Sequence, residues 1–154
     1  AIMAAKKGGI SIEKSIDSLK KFKGVKRRMD LVAEVSDTLI YDDFAHHPTA
    51  IKMSTESIRE KYPEKKILGI VELGSNTMSS GYHKESLIKS FGALDETLLL
   101  DHNKVYEYSN GFDSEKEMID HIKTKIVKYD IILIMTNKDS QKFIKPILEN
   151  FENK

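Results

Sequence analysis

Four polar clusters in this 154-residue chain bring together side chains able to do chemistry. The densest is Tyr41-Asp42-Asp43-Phe44-Ala45-His46-His47-Pro48-Thr49-Ala50, with two carboxylates and two imidazoles ahead of a proline. Glu72-Leu73-Gly74-Ser75-Asn76-Thr77 is the second, and Thr136-Asn137-Lys138-Asp139 the third. The fourth is cationic: Lys20, Lys21, Lys23, Lys26, Arg27 and Arg28 surround Gly24.

Each cluster allows more than one chemistry. Pro48 suits the first turn of a helix, so His46 and His47 stand where free N–H groups and the positive end of the dipole favour an anion such as phosphate. Asp43, acceptor-only when ionised, suits ribose hydroxyls or a magnesium-bound water. A plainer alternative is that Asp42 or Asp43 satisfies turn amides while a histidine caps the helix. A metal centre is the third alternative, although adjacent histidines diverge and no His-x-x-x-His pair supports them. Arg28 differs from the lysines around it, because a planar fork at the mouth of a strand can grip a phosphate bidentately. Ser75, Asn76, Thr77 and Asn137 can bind a carboxylate or amide ligand, or merely make Asx and Ser turns.

The elements that must position these clusters follow from periodicity. Ser11 caps a helix predicted to run to residue 22, with Ile12, Ile16 and Leu19 on one face. Segments 31–35 and 39–41 read as a hairpin turned at Ser36-Asp37, and 48–61 as a helix that stops before Pro63. Apolar strands are predicted at 67–71, 97–100 and 130–135. Helices are predicted at 84–91, from the Ser114–Glu117 capping box onward, and at 140–151. Alternation of this kind predicts an α/β fold: a mostly parallel sheet with helices on both faces and an antiparallel edge hairpin. Ligands of such sheets bind beyond the carboxyl ends of the strands, where three of the four clusters fall.

Composition narrows the class. Hydrophobic residues are 40%, charged residues 32% and the net charge +1, as in an ordinary globular domain of this size. With no cysteine, disulfides and thiolate metal sites are excluded. No apolar run reaches the roughly 20 residues of a bilayer-spanning helix, no signal peptide opens the chain, and the near-neutral charge argues against a nucleic-acid surface. A cytoplasmic protein without membrane or nucleic-acid partners is expected. Residues 1–9 lack an initiator Met and read as the last turns of an uncapped helix, so a longer natural protein is expected.

Phe22-Lys23-Gly24-Val25-Lys26-Arg27-Arg28-Met29, then Asp42 through Ile51, then Ser75-Asn76-Thr77-Met78 resemble, in order, the C-terminal domain of the Mur ligases. The resemblance implies a Rossmann-like domain at 23–154 preceded by the tail of a central ATPase domain at 1–22. It also implies a three-domain ligase whose first domain holds a UDP-sugar and whose central domain carries the phosphate loop. ATP and Mg2+ are the implied cofactors, held mainly by the central domain, so this chain alone should not catalyse ligation. Phe44 with Pro48-Thr49-Ala50-Ile51, and the Ser-Asn-Thr-Met run, point to one family activity. That activity joins L-alanyl-γ-D-glutamyl-meso-diaminopimelate to UDP-N-acetylmuramate in peptidoglycan recycling.

By the same resemblance Arg28 contacts phosphate or ribose, Asp43 the ribose or the hinge, and His46 lies near the phosphates. Ser75, Asn76 and Thr77 face the peptide, with Asn137 beside them. No catalytic residue and no metal ligand is expected within the chain. The implied partners are the two substrates and the protein's own N-terminal and central domains. Two departures from the family pattern stand out. Leu73-Gly74 replaces a Pro-Arg pair, and the loop after the last strand is not glycine-rich. The alternative is a stand-alone module that binds a nucleotide or a peptidoglycan peptide without catalysis.

Overall fold

The computed structural model describes residues 1–22, 24–74, 78 and 80–152. Two short helices, α1 (Ile2–Lys7) and α2 (Ile12–Lys20), pack on each other ahead of the sheet. The strands are β1 (Asp30–Val35), β2 (Thr38–Asp43), β3 (Ile67–Glu72), β4 (Glu96–Leu100), β5 (Gly111–Phe112) and β6 (Ile131–Thr136). Between and after them lie α3 (Pro48–Lys61), α4 (Lys84–Lys89), α5 (Glu115–Lys125), a 3-10 turn (Ile126–Lys128) and α6 (Gln141–Glu152).

One sheet contains all six strands in the order β1-β2-β6-β3-β4-β5. The β1–β2 pair is antiparallel with an irregularity between Leu31 and Ala33, and the other pairs are parallel. The chain leaves β2 through α3, passes over the place that β6 later fills, and returns to it at the end. As a result β6 is paired on both sides, by β2 and β3. This is why β3 and β6 are apolar up to their last residues, Glu72 and Thr136, and buried throughout: both of their faces are covered.

Alternation along the strands sorts the side chains between two cores. Tyr41, Ile67, Val71, Ile131, Leu133 and Met135 meet Ile51 and Ile58 of α3 and Leu87 of α4. Ile40, Leu68, Ile70, Ile132 and Ile134 meet Met118 and Ile122 of α5 and Phe143, Ile144 and Ile147 of α6. Complete burial of such side chains stabilises by about 1.5–3 kcal/mol each before the entropy cost of ordering them.

The strand and helix expectations agree with these elements to within two residues, and β5 is a strand that was not expected. α2 and α4 each stop two residues earlier than expected. The last N–H groups after α2 close on Ser18 and Leu19 carbonyls, and those after α4 on Ile88 and Lys89 carbonyls. β5 is two residues long and has no periodic signature. The loop before it is organised by Asp101, whose carboxylate accepts from Tyr106 N–H at 2.7 Å, while the fully buried Tyr106 donates its hydroxyl to the Met78 carbonyl. Among the described residues no helix is long and apolar enough to cross a membrane.

Candidate functional site at the carboxyl edge of the sheet

Parallel pairing brings three of the polar clusters to one edge. Asp43 is level with Met135 and Glu72 with Thr136, so the segments leaving β2, β6 and β3 emerge side by side. The connector between α2 and β1 joins them, because Phe44 N–H donates to the Arg27 carbonyl at 2.9 Å.

Asp42 and Asp43 are neighbours in sequence but point to opposite faces, as strand alternation requires. Both are buried. On the α3 side, Asp43 accepts from Met29 N–H and Ala45 N–H, both at 2.7 Å. Expected to meet the ribose or the hinge, Asp43 has each of its oxygens engaged by main-chain donors, one of them from the connector. On the α6 side, one Asp42 oxygen receives the Ser140 hydroxyl at 2.8 Å and Arg27 Nε at 3.2 Å. Its other oxygen is shut away from solvent with no hydrogen-bond partner among the described residues.

The histidines divide the work at the start of α3. His47 is the N-cap, with extended backbone, and its Nδ1 accepts from Thr49 N–H at 3.4 Å. His46 stands one residue earlier; its Nδ1 donates to the Phe44 carbonyl at 2.9 Å and its ring meets the Phe44 edge at 5.3 Å. Arg28 is exposed, makes no ion pair among the described residues, and lies over the Phe44 ring at 5.8 Å. Arg28 and Asp43 also line a shallow cavity of about 230 Å³ with Met29, Ala50, Met53 and Ser57. A larger cavity of about 330 Å³ lies toward β5, lined by Asp101, Lys104, Glu107, Tyr108 and Gly111, away from these groups.

At the end of β3, Glu72 is almost wholly buried and receives Lys142 Nζ at 2.7 Å and the Thr136 hydroxyl at 2.8 Å. Lys142 also reaches Glu115 at 2.9 Å, and Lys138 Nζ stands 3.4 Å from Glu72. Burial pushes the Glu72 carboxyl up, but the Lys142 and Thr136 hydrogen bonds and the two lysine charges outweigh it and hold it below its ordinary value. Burial likewise pushes Lys142 down, and Glu115 and Glu72 together carry it above its ordinary value. Asn137 lies directly over Gly74: a Cβ there would stand 1.9 Å from Asn137 Oδ1, which has no partner among the described residues. Ser75, Asn76 and Thr77, expected to face a peptide, lie outside the described residues.

The structure thus gathers Arg28, Asp43 and His46 around Phe44 and sets Asn137 one strand away. It adds Arg27, Ser140 and Lys142, none of which was expected as a site residue. Their only signal in the sequence is position: a cation next to the expected one, and polar residues beside the end of the last strand. The arrangement can hold an anion, since its buried carboxylates are turned into the protein while Arg28 is exposed.

Comparison with known proteins accords with this geometry. Residues 27–138 match the family "Mur ligase, glutamate ligase domain". The chain is 32% identical over 149 residues to a UDP-N-acetylmuramate–L-alanyl-γ-D-glutamyl-meso-2,6-diaminoheptandioate ligase of Haemophilus influenzae, covering 89% of this chain and 33% of that protein. It is 35% identical over 114 residues to a UDP-N-acetylmuramate–L-alanine ligase of Hydrogenobaculum sp., covering 73% and 25%. In structure it is similar to a murein peptide ligase of Psychrobacter arcticus, with a TM-score of 0.78 and 32% identity over 99% of this chain and 35% of that one. The chain therefore spans about a third of the length of the first of these relatives. On the family match over most of its length, this chain belongs to the Mur ligases, as their glutamate ligase domain.

Proposed function

We propose that this chain is the C-terminal domain of an ATP-dependent ligase that joins L-alanyl-γ-D-glutamyl-meso-diaminopimelate to UDP-N-acetylmuramate in peptidoglycan recycling. The observation that carries the reading is the outward-facing arginine at the carboxyl edge, backed by carboxylates committed to the protein. In this reading ATP phosphorylates the muramate carboxylate, releasing ADP. The peptide amine then attacks the acyl phosphate, forming the amide and releasing inorganic phosphate. Arg28 meets phosphate or ribose oxygens as the domain closes, and His46 lies near the phosphates. Ser75, Asn76, Thr77 and Asn137 face the peptide. Their contribution is positioning and charge stabilisation rather than covalent catalysis.

Asp43 shapes the corner, holding the connector against β2. Asp42 and Asp43 leave one oxygen unengaged, and no three His, Asp or Glu among the described residues stand together as a metal site. In this reading magnesium is held by the central domain, together with most of the nucleotide. The helical pair fits the same division. Met3, Ile10, Ile16, Leu19 and Phe22 are exposed on α1, α2 and their flanks, which supports residues 1–22 as the tail of a central domain that covers them. The cytoplasm, where UDP-linked precursors and ATP meet, is the proposed location.

The test is ligation by the full-length protein with ATP, UDP-N-acetylmuramate and either the tripeptide or L-alanine. The tripeptide is expected to be used and L-alanine not, with Arg28→Ala raising the KM for ATP about tenfold, as loss of a charge-assisted contact does. Preference for L-alanine would overturn the assigned peptide. An unchanged KM would overturn the role of Arg28.

A further inference from the structure

Arg27 and Arg28 are adjacent and alike, yet the structure uses them in opposite ways. The Arg27 guanidinium turns inward. Its Nε donates to Asp42 at the end of β2 at 3.2 Å, and Nη2 donates to the Thr136 carbonyl at the end of β6 at 2.7 Å. One side chain therefore bridges two neighbouring strand ends. The same Asp42 oxygen receives Ser140, which links the bridge to the start of α6.

The backbone around Arg28 explains why the bridge matters. Arg27 and Met29 have φ of 57° and 48°, a region that residues with a Cβ enter at a cost of about 1–2 kcal/mol each. Something must hold them there. Phe44 N–H clasps the Arg27 carbonyl, Asp43 clasps Met29 N–H, and the Arg27 side chain fixes the connector from the other face. The two left-handed residues make a sharp corner with Arg28 at its apex, and both guanidinium groups lie against the Phe44 ring, at 5.3 and 5.8 Å.

We propose that Arg27 is a positioning residue: by tying the connector across the ends of β2 and β6, it sets the direction in which Arg28 is presented. The inference rests on the nucleotide role of Arg28 proposed above. A lysine cannot replace Arg27, because a single ammonium lacks the planar fork that reaches both acceptors at once.

The test is a double-mutant cycle in the full-length ligase, with KM for ATP and for UDP-N-acetylmuramate measured separately. Arg28→Ala and Arg27→Met are each expected to raise the KM for ATP about tenfold while the KM for the UDP-sugar stays unchanged. Arg27→Met should add nothing in the Arg28→Ala background, since its effect passes through Arg28. Arg27→Lys should behave as Arg27→Met. Should Arg27→Met fail to fold, Arg27→Lys and Asp42→Asn carry the same cycle. Effects that multiply, or a wild-type KM in Arg27→Lys, would overturn the positioning role while leaving the nucleotide reading standing. Arg28→Ala with an unchanged KM for ATP would overturn both.

Discussion

The ends of β2 and β3 lie on either side of β6, and each buries carboxylates, but to different effect. At β2 the two aspartates hold main chain and an arginine fork, and their partners come from the connector, the helix entry and the start of α6. At β3 a single glutamate holds a threonine hydroxyl from the end of β6 and two lysine ammonium groups, one from the segment that follows β6 and one from α6. The first arrangement shapes backbone, and the second neutralises side chains. The difference teaches where ligand-facing charge comes from. Shaping by Asp42 and Asp43 leaves Arg28 unpaired among the described residues, whereas at β3 the lysines are drawn into the protein's own ion pairs.

Mutation of each end is a way to break this contrast. The largest loss is expected from Asp43→Ala. Two main-chain N–H groups lose their acceptor at about 1–3 kcal/mol each, so denaturant unfolding should show a loss of roughly 2–6 kcal/mol. An unchanged midpoint would mean that Asp43 does not shape the corner.

Glu72→Gln comes next, at roughly 2–3 kcal/mol near neutral pH, because Lys142 keeps Glu115 as a partner. Its pH dependence is specific. The folded-state carboxyl lies below its ordinary value of 4.5, so its stabilisation is present above about that pH and fades as pH falls through the lower folded value. Lys142 lies above its ordinary 10.5, so its stabilisation is present below that pH and fades as pH rises beyond it. Acid unfolding of the glutamine variant should be flatter than that of the parent; identical slopes would remove Glu72 from the account.

Gly74→Ala should cost about 1–3 kcal/mol, since the new methyl meets Asn137. Asn137→Ala in the same chain should restore most of that loss, and a sum of independent effects would refute the contact. The smallest change is expected for His47→Ala, about 0.5 kcal/mol in thermal unfolding, because its capping hydrogen bond is long.

Much of this was legible beforehand, for reasons that can be named. The apolar runs of β3 and β6 are buried on both faces, and that burial writes itself into composition. Ser114 is legible because its hydroxyl accepts Glu117 N–H, the local bond that a capping box encodes. The corner at Asp42-Asp43 was recognisable as polar, but the divergence of its two side chains follows from β2 continuing to Asp43, two residues past the predicted strand end. The turn amide of Ala45 was legible as a partner of Asp43, but Met29, Arg27 and Ser140 were not, since they lie 14 residues from Asp43 and 15 and 98 from Asp42. Nor was the inward turn of Arg27. It depends on left-handed backbone at residues that do not favour it, imposed by tertiary bonds. β5 escaped notice because two residues carry no periodicity.

The central claim is that the corner formed by the connector and the β2–α3 turn closes on the nucleotide, and backbone hydrogen exchange in the full-length protein tests it directly. With UDP-N-acetylmuramate and a non-hydrolysable ATP analogue, amides 26–29 and 44–47 are expected to gain protection over the UDP-sugar alone. No gain at those amides, or protection only around the cavity at 101–111, would contradict the claim.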